Sequence, residues 1–218
     1  MARLGDRAIV SYLHPGTVRA EFMRSTLAMA RHSAEQIDTI LDLRAGPNLS
    51  RWRNAIVEQF LGFDAPWLLM VDTDMVFAPD ALSRLLAAAD PAQCPILGAL
   101  CFSEGDGGGE PYSTMYELLE TSEGPRFTRY AKWPEGAVVP VTATGTGFLL
   151  AHRDVFTSIV AHKHDPVAPW FRESTLGGAL MGEDLTFCLR ARAAGIPVHV
   201  HTGVQVGHVK TTVLGKVS

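Results

Sequence analysis

The 218-residue sequence predicts an α/β fold, a Rossmann-like single domain with a mostly parallel central sheet and a small additional β-hairpin region of antiparallel strands. Three observations carry this. Through residues 8–102, short apolar runs alternate with segments of helical period. Trp67-Leu68-Leu69-Met70-Val71 is apolar throughout, as in a parallel strand covered on both faces, and it runs straight into Asp72-Thr73-Asp74. The middle of the chain instead breaks at turn residues, the pattern of a hairpin.

Residues 8–13 read as a strand ending at His14-Pro15-Gly16-Thr17, where Pro-Gly marks a turn and Thr17 is placed to cap a helix over 18–33. That helix sets Met23, Leu27 and Ala30 along one face. A second strand, 37–43, alternates with acids at Asp38 and Asp42. Gly46-Pro47-Asn48-Leu49-Ser50 breaks the pattern, with Ser50 as N-cap of a helix whose buried stripe is Trp52, Ile56 and Phe60. Arg53 and Asn54 fall off that stripe. Beyond the Asp72-Thr73-Asp74 strand, Pro79 opens a helix with Leu82, Leu85, Leu86 and Ala89 inward, and 95–102 is a fourth strand. A β-α-β-α-β-α-β order implies parallel pairing through crossover helices.

Gly105-Asp106-Gly107-Gly108-Gly109 reads as a flexible loop, and 112–119 with 127–133 as a hairpin turning at 122–125. In Thr144-Gly145-Thr146-Gly147, ahead of a strand at 148–151, two glycines imply a close backbone approach to a ligand or another strand. A loop rich in His, Pro and Trp covers 162–174. Gly177-Gly178 then leads to Gly182-Glu183-Asp184 and a helix to about 194, with Leu185, Cys188 and Leu189 buried. A last strand, 198–206, runs into Gly207-His208. The expectation is one domain over 1–218, with halves at about 8–102 and 103–208.

Composition narrows the class. With a net charge of −4, there is no global basic field directed at nucleic acid or an anionic membrane. No window is long and apolar enough to span a membrane, and the amino terminus carries no secretory apolar region. Cys94, Cys101 and Cys188 are odd in number, lack metal-ligand spacing and read as reduced, buried thiols. Together these features imply a cytoplasmic protein.

Chemistry concentrates in three places. Asp72 and Asp74 stand at a strand's carboxyl end, where open α/β sheets bind ligands, and two such carboxylates call for a cation or a raised pKa. A polar turn that merely closes the strand uses the same residues. Glu183 and Asp184 open a helix after a glycine-rich loop: acids there favour the helix dipole, and one of them is also placed to act as a general base, which the dipole would keep ionised. His208 follows the last strand; beside two carboxylates an imidazole suits a manganese-like ion, although a lone histidine there is more often structural. Lys210 and Lys216, ordinary solvated lysines by default, are placed to meet a diphosphate.

In this order, the βαβ half, Asp72-Thr73-Asp74, the glycine loop before Gly182-Glu183-Asp184 and the closing His208 resemble the GT-A-fold glycosyltransferases, above all small, soluble, family-2-like members. The resemblance runs from about residue 8 to 208, and the Arg53-Asn54 helix is similar to one that precedes the metal motif in many of these enzymes. It implies a divalent metal, Mn2+ or Mg2+, held by Asp72, Asp74 and His208. It implies a nucleotide-sugar donor, UDP-sugar by preference, contacted by His14, Pro15, Gly16, Asp42, Arg53, Asp72, Thr73, Asp74, Gly177, Gly178 and Lys210. It also implies Asp184, with Glu183 beside it, as the catalytic base of an inverting transfer to an acceptor hydroxyl. The sequence departs from the usual pattern at His14-Pro15-Gly16-Thr17, which is not Pro-x-Tyr-Asn, and after Asp42, where no Ser-x-Asp run occurs. Two other readings use the same residues: a haloacid-dehalogenase-like phosphatase with Asp72 as nucleophile, and a non-catalytic nucleotide-sugar-binding module.

Overall fold

The computed structural model describes residues 6–104 and 110–211. The glycine run at 105–109 and Lys216 lie outside the described residues. In chain order the elements are β1 (Ala8–His14), α1 (Ala20–His32), β2 (Ile37–Arg44), α2 (Leu49–Leu61), β3 (Trp67–Asp72), β4 (Met75–Val76), α3 (Ala81–Ala88) and β5 (Ile96–Ser103). They continue with β6 (Tyr112–Ser113), β7 (Met115–Thr121), β8 (Gly124–Arg129), β9 (Val138–Val141), β10 (Ala143–Thr144) and β11 (Phe148–His152). The chain closes with α4 (Arg153–His162), β12 (Ser174–Leu176), β13 (Ala179–Met181), α5 (Glu183–Ala193) and β14 (Val198–His208).

The central sheet runs β2-β1-β3-β11-β5-β14-β4. β1 pairs in parallel with β2 and β3, and β14 with β5. β11 lies antiparallel between β3 and β5, so those two strands are not neighbours. The continuous β-α-β-α-β-α-β reading is corrected there: a strand from late in the chain is inserted between the third and fourth. Pattern could not disclose this, because Phe148–His152 is buried on both faces and looks the same whichever way it runs.

β3 decides the layering. Leu68 and Met70 join a core layer with Ile56, Phe60, Phe156 and Phe187, so α2, α4 and α5 cover that face. Trp67, Leu69 and Val71 face the other way, onto Phe22, Met29, Leu82 and Leu85 of α1 and α3. The sheet is therefore covered on both sides, as the apolar run implied.

Several local expectations shift. α1 buries Phe22, Ser25, Thr26 and Met29 while Leu27 is exposed, because Phe22 packs edge-on to Tyr12 and Phe77 and sets the rotation of the helix. Arg19, not Thr17, is its N-cap, and Asn48 rather than Ser50 caps α2, accepting from the Arg51 N–H at 2.9 Å. α2 buries Arg53 and Asn54 with Ile56, Val57 and Phe60, and Trp52 lies half-buried at the rim. α4, a helix not among the sequence expectations, is anchored by Val155, Phe156 and Ile159.

The three cysteines are free and buried. Among the described residues no helix is long and apolar enough to cross a membrane.

Candidate active site at the carboxyl edge of the sheet

β1, β2, β3, β5 and β14 point the same way, so His14, Arg44, Asp72, Ser103 and His208 end on one edge of the sheet. The Asp72-Thr73-Asp74 turn is built into that edge from three sides. The Asp72 N–H donates to the Gly147 carbonyl at 3.0 Å, and the Val209 N–H donates to the Asp74 carbonyl at 2.8 Å. Thr73 Oγ1 reaches the Leu13 carbonyl of β1 at 3.4 Å. β4, directly after the turn, pairs Met75 with His208.

That pairing delivers the histidine to the second aspartate. His208 Nε2 lies 2.7 Å from Asp74 Oδ2, and Nδ1 lies 3.1 Å from the Phe102 carbonyl. A carbonyl only accepts, so Nδ1 carries the proton toward Phe102. Metal-ligating histidines are commonly oriented in this way, the far nitrogen donating to a backbone carbonyl; a bound ion would replace the hydrogen bond that joins Nε2 to Asp74 Oδ2. Asp74 and His208 therefore fit two protein ligands of a divalent cation. Asp72 is drawn elsewhere: its Oδ1 takes Arg53 Nη2 at 2.9 Å. Among the described residues, no three His, Cys, Asp or Glu side chains are already gathered as a metal-holding group.

Arg53 is the residue that sequence pattern misplaced. Its side chain is 5% exposed, and its other terminal nitrogen, Nη1, donates to Glu183 Oε1 at 2.8 Å. One buried guanidinium thus joins the acid at the end of β3 to the acid that opens α5. Asn54, next to it, donates to the Ser50 and Phe171 carbonyls at 2.7 and 2.8 Å. Its Oδ1 accepts from the Trp170 and Phe171 N–H groups. Trp170 and Phe171 are consequently core residues, stapled to α2.

Asp184 has a different environment. Among the described residues its side chain has one hydrogen bond, from the Leu185 N–H to Oδ1 at 2.7 Å. Burial first, and then the Glu183 charge, raise its pKa above the ordinary carboxylate value. The helix start was expected to hold it ionised, but desolvation outweighs that pull in a site this enclosed. A β-carbon on Gly145 would stand 3.6 Å from Asp184 Oδ2, and one on Gly147 3.5 Å from Asp72 Oδ2. The Thr-Gly-Thr-Gly stretch thus lines the floor between the two acid sites. Across that floor, Tyr116 on β7 has its phenol pKa raised by burial and by Asp184. Arg129, paired opposite Tyr116 on β8, sits 3.4 Å from the Tyr112 ring centroid.

The remaining candidates divide. His14 Nδ1 accepts the Gly16 N–H at 3.1 Å, and Nε2 lies 3.9 Å from Asp42, so the ends of β1 and β2 form one polar corner with exposed Pro15. Gly16 has φ +123°, and the Arg44 guanidinium lies over it. Gly177 and Gly178 form the two-residue turn between β12 and β13, with φ +54° and +80° as such a turn demands. Lys210 is exposed beside Val209. A cleft of about 1270 Å³ opens between the amino-terminal half of α2 and the 165–173 loop. Of the predicted acids only Glu183 lines it, so the cleft meets the site on the Glu183 side of Arg53, away from Asp74 and His208.

No family model matches this chain, and no curated protein does either. Among solved structures it is similar to the crystal structure of GalNAc-T7 with UDP, GalNAc and Mn2+, with TM-score 0.63 and 11% identity over 94% of this chain. The fold is GT-A-like. The chain spans 44% of that GalNAc-T7 chain. It is also similar to A197 from STIV, with TM-score 0.56 and 16% identity over 94% of this chain and 86% of that one. At these identities the likeness is one of fold, and it agrees with a mostly parallel sheet whose loops gather at one edge.

Proposed function

We propose that this GT-A-like chain is a metal-dependent glycosyltransferase of family-2-like type, moving a sugar from a nucleotide diphosphate, UDP by preference, to an acceptor hydroxyl. The observation that carries the reading is the meeting of Asp74 with His208 at the sheet edge where Arg53 also brings Asp72 and Glu183 together. The GalNAc-T7 structure, which has a similar fold, contains UDP, GalNAc and Mn2+, and this supports the choice of donor and ion.

In this reading Asp74 and His208 hold the divalent cation, for which mixed carboxylate and imidazole ligands suit Mn2+. The bound ion supplies Lewis-acid stabilisation of charge on the departing diphosphate. Asp72 and Thr73 stand on the donor side of the turn, and His14, Pro15, Gly16 and Asp42 line the base corner. Lys210 offers a point charge to the diphosphate. Residues of about 8–102 form the donor half and 103–208 the acceptor half, the latter including the Gly177-Gly178 hairpin.

Asp184 takes the proton from the acceptor hydroxyl as its oxygen bonds to the anomeric carbon and the bond to the diphosphate breaks, inverting that centre. Its raised pKa brings it toward the range in which a carboxylate is an effective base, and positioned bases contribute roughly 10²–10⁴-fold. Glu183 is ion-paired with Arg53 at 2.8 Å, so in this reading it stands beside the base rather than serving as the base itself.

The test is incubation with a panel of UDP-sugars and Mn2+, reading released UDP and, by calorimetry, UDP binding. Turnover with at least one donor is expected. Absence of both binding and turnover across nucleotide-sugars would overturn the proposal.

A further inference from the structure

We infer that Arg53 is a positioning residue that fixes the Glu183–Asp184 pair relative to Asp72, rather than a contact to the donor. The inference rests on the transferase reading for its kinetic consequence but on geometry for its substance. The resemblance implied that Arg53 touches the donor. Its side chain, however, is 5% exposed, and each terminal nitrogen already donates to a carboxylate, Nη2 to Asp72 at 2.9 Å and Nη1 to Glu183 at 2.8 Å. A donor oxygen would have to reach a remaining N–H of a guanidinium that is almost wholly enclosed and already flanked by two carboxylates.

The clamp also takes over a task that α5 lacks a residue for. Gly182 is the N-cap of α5 and contributes no side-chain cap. The first turn is held instead through Glu183, its first residue, by a guanidinium projecting from α2. Asp184 follows Glu183 directly, so anchoring one sets the direction of the other, toward Gly145. The anchor is itself rigid, because the adjacent Asn54 makes four hydrogen bonds that fasten α2 to the 170–171 segment and to its own first turn. Lysine cannot reproduce this: a point charge lacks the planar fork that reaches two carboxylates in fixed directions.

Two readouts test it. In steady-state kinetics with a UDP-sugar, R53K should lower kcat by about tenfold or more and leave the donor KM within about twofold, the signature of lost transition-state alignment. The opposite split, a raised donor KM with kcat kept, would make Arg53 a donor contact and overturn the inference. The second readout uses the donor-free protein, following the Asp184 carboxyl by 13C NMR through a pH titration. The titration midpoint should rise in R53M, where the nearby positive charge is gone, and return part-way in R53M/E183Q, where the stranded Glu183 charge is removed too. The double variant also leaves no unpaired Glu183 charge, so it keeps the test open if R53M alone fails to fold. An Asp184 midpoint unmoved in these variants would overturn the inference. Because the NMR arm needs no nucleotide, failure of the wild-type protein to bind UDP-sugars would count against the transferase reading alone.

Discussion

His208 Nε2 faces Asp74 Oδ2 at 2.7 Å across 134 positions of sequence, and two backbone links hold them there. β4 pairs with β14 so that Met75 stands opposite His208, and the Val209 N–H bonds the Asp74 carbonyl at 2.8 Å. The imidazole is further oriented by the Phe102 carbonyl, which settles which ring nitrogen is turned to the aspartate. The pair is thus preorganised by the end of the sheet.

Removing either member should weaken metal binding. D74N and H208A are each expected to reduce Mn2+ affinity, measured with UDP by Mn2+ electron paramagnetic resonance, by at least about tenfold, since loss of even a supporting partner commonly costs that much. D72N should have a smaller effect, because Asp72 Oδ1 is already held by Arg53. Equal Mn2+ affinity in wild type and H208A would remove the histidine from the ligand set.

The Asp184 carboxyl makes stability depend on pH in a definite direction. Its folded pKa lies above the ordinary value of 3.8, through burial and the Glu183 charge, with Asp72 adding to the rise and Arg53 and the Leu185 N–H opposing it. An acid shifted upward favours the folded state when protonated. That contribution is fully present below 3.8 and is lost as pH rises through the folded value. D184N should therefore be more stable than wild type in urea at pH 7, with the advantage shrinking as the pH falls toward 3.8, while transfer activity is lost. A D184N protein as active as wild type would exclude Asp184 as the base.

Asn54 is the polar fastener between α2 and the Trp170-Phe171 segment. N54A leaves the Trp170 and Phe171 N–H groups and the Phe171 carbonyl without their partner in a buried place. Urea denaturation should show a loss of about 2–3 kcal/mol, the scale of buried groups left unsatisfied. A loss under about 0.5 kcal/mol, the range of ordinary surface changes, would show that the segment is held by apolar packing alone.

Gly177 and Gly178 share a turn but should not tolerate alanine equally. Both have positive φ, yet a β-carbon on Gly177 would stand 2.7 Å from the Pro125 carbonyl oxygen, whereas one on Gly178 meets nothing within 4 Å. Each alanine pays for a left-handed backbone, at about 1–2 kcal/mol, and G177A must also push the β12–β13 turn away from β8. Thermal unfolding should rank G177A below G178A, and G178A below wild type. The reverse order for the two variants would mean that the hairpins do not pack as described.

The sequence alone determined that β3 is covered on both faces and that Asp72 stands at its carboxyl end. Trp67 to Val71, apolar at every position, had to be covered on both faces, and the acids after it had to lie at the carboxyl edge. The Thr-Gly-Thr-Gly stretch announced a close approach, and the structure identifies what approaches: Asp184 at Gly145, and Met75 and Asp72 at Gly147. These features are legible because they follow from local periodicity and from residues with narrow backbone requirements.

Only the tertiary structure decided what the acids face. Arg53 and Asn54 look like solvent residues on a helical wheel, because hydropathy counts a charged or polar side chain as exposed whatever lies opposite. They are buried because Asp72 and Glu183, 19 and 130 positions away, and the backbone of Trp170 and Phe171 supply their partners. The insertion of β11 between β3 and β5 is of the same kind, since a strand apolar on both faces carries no mark of its neighbours. Burying a charge or placing a central strand depends on groups remote in sequence, and one-dimensional pattern contains no record of them.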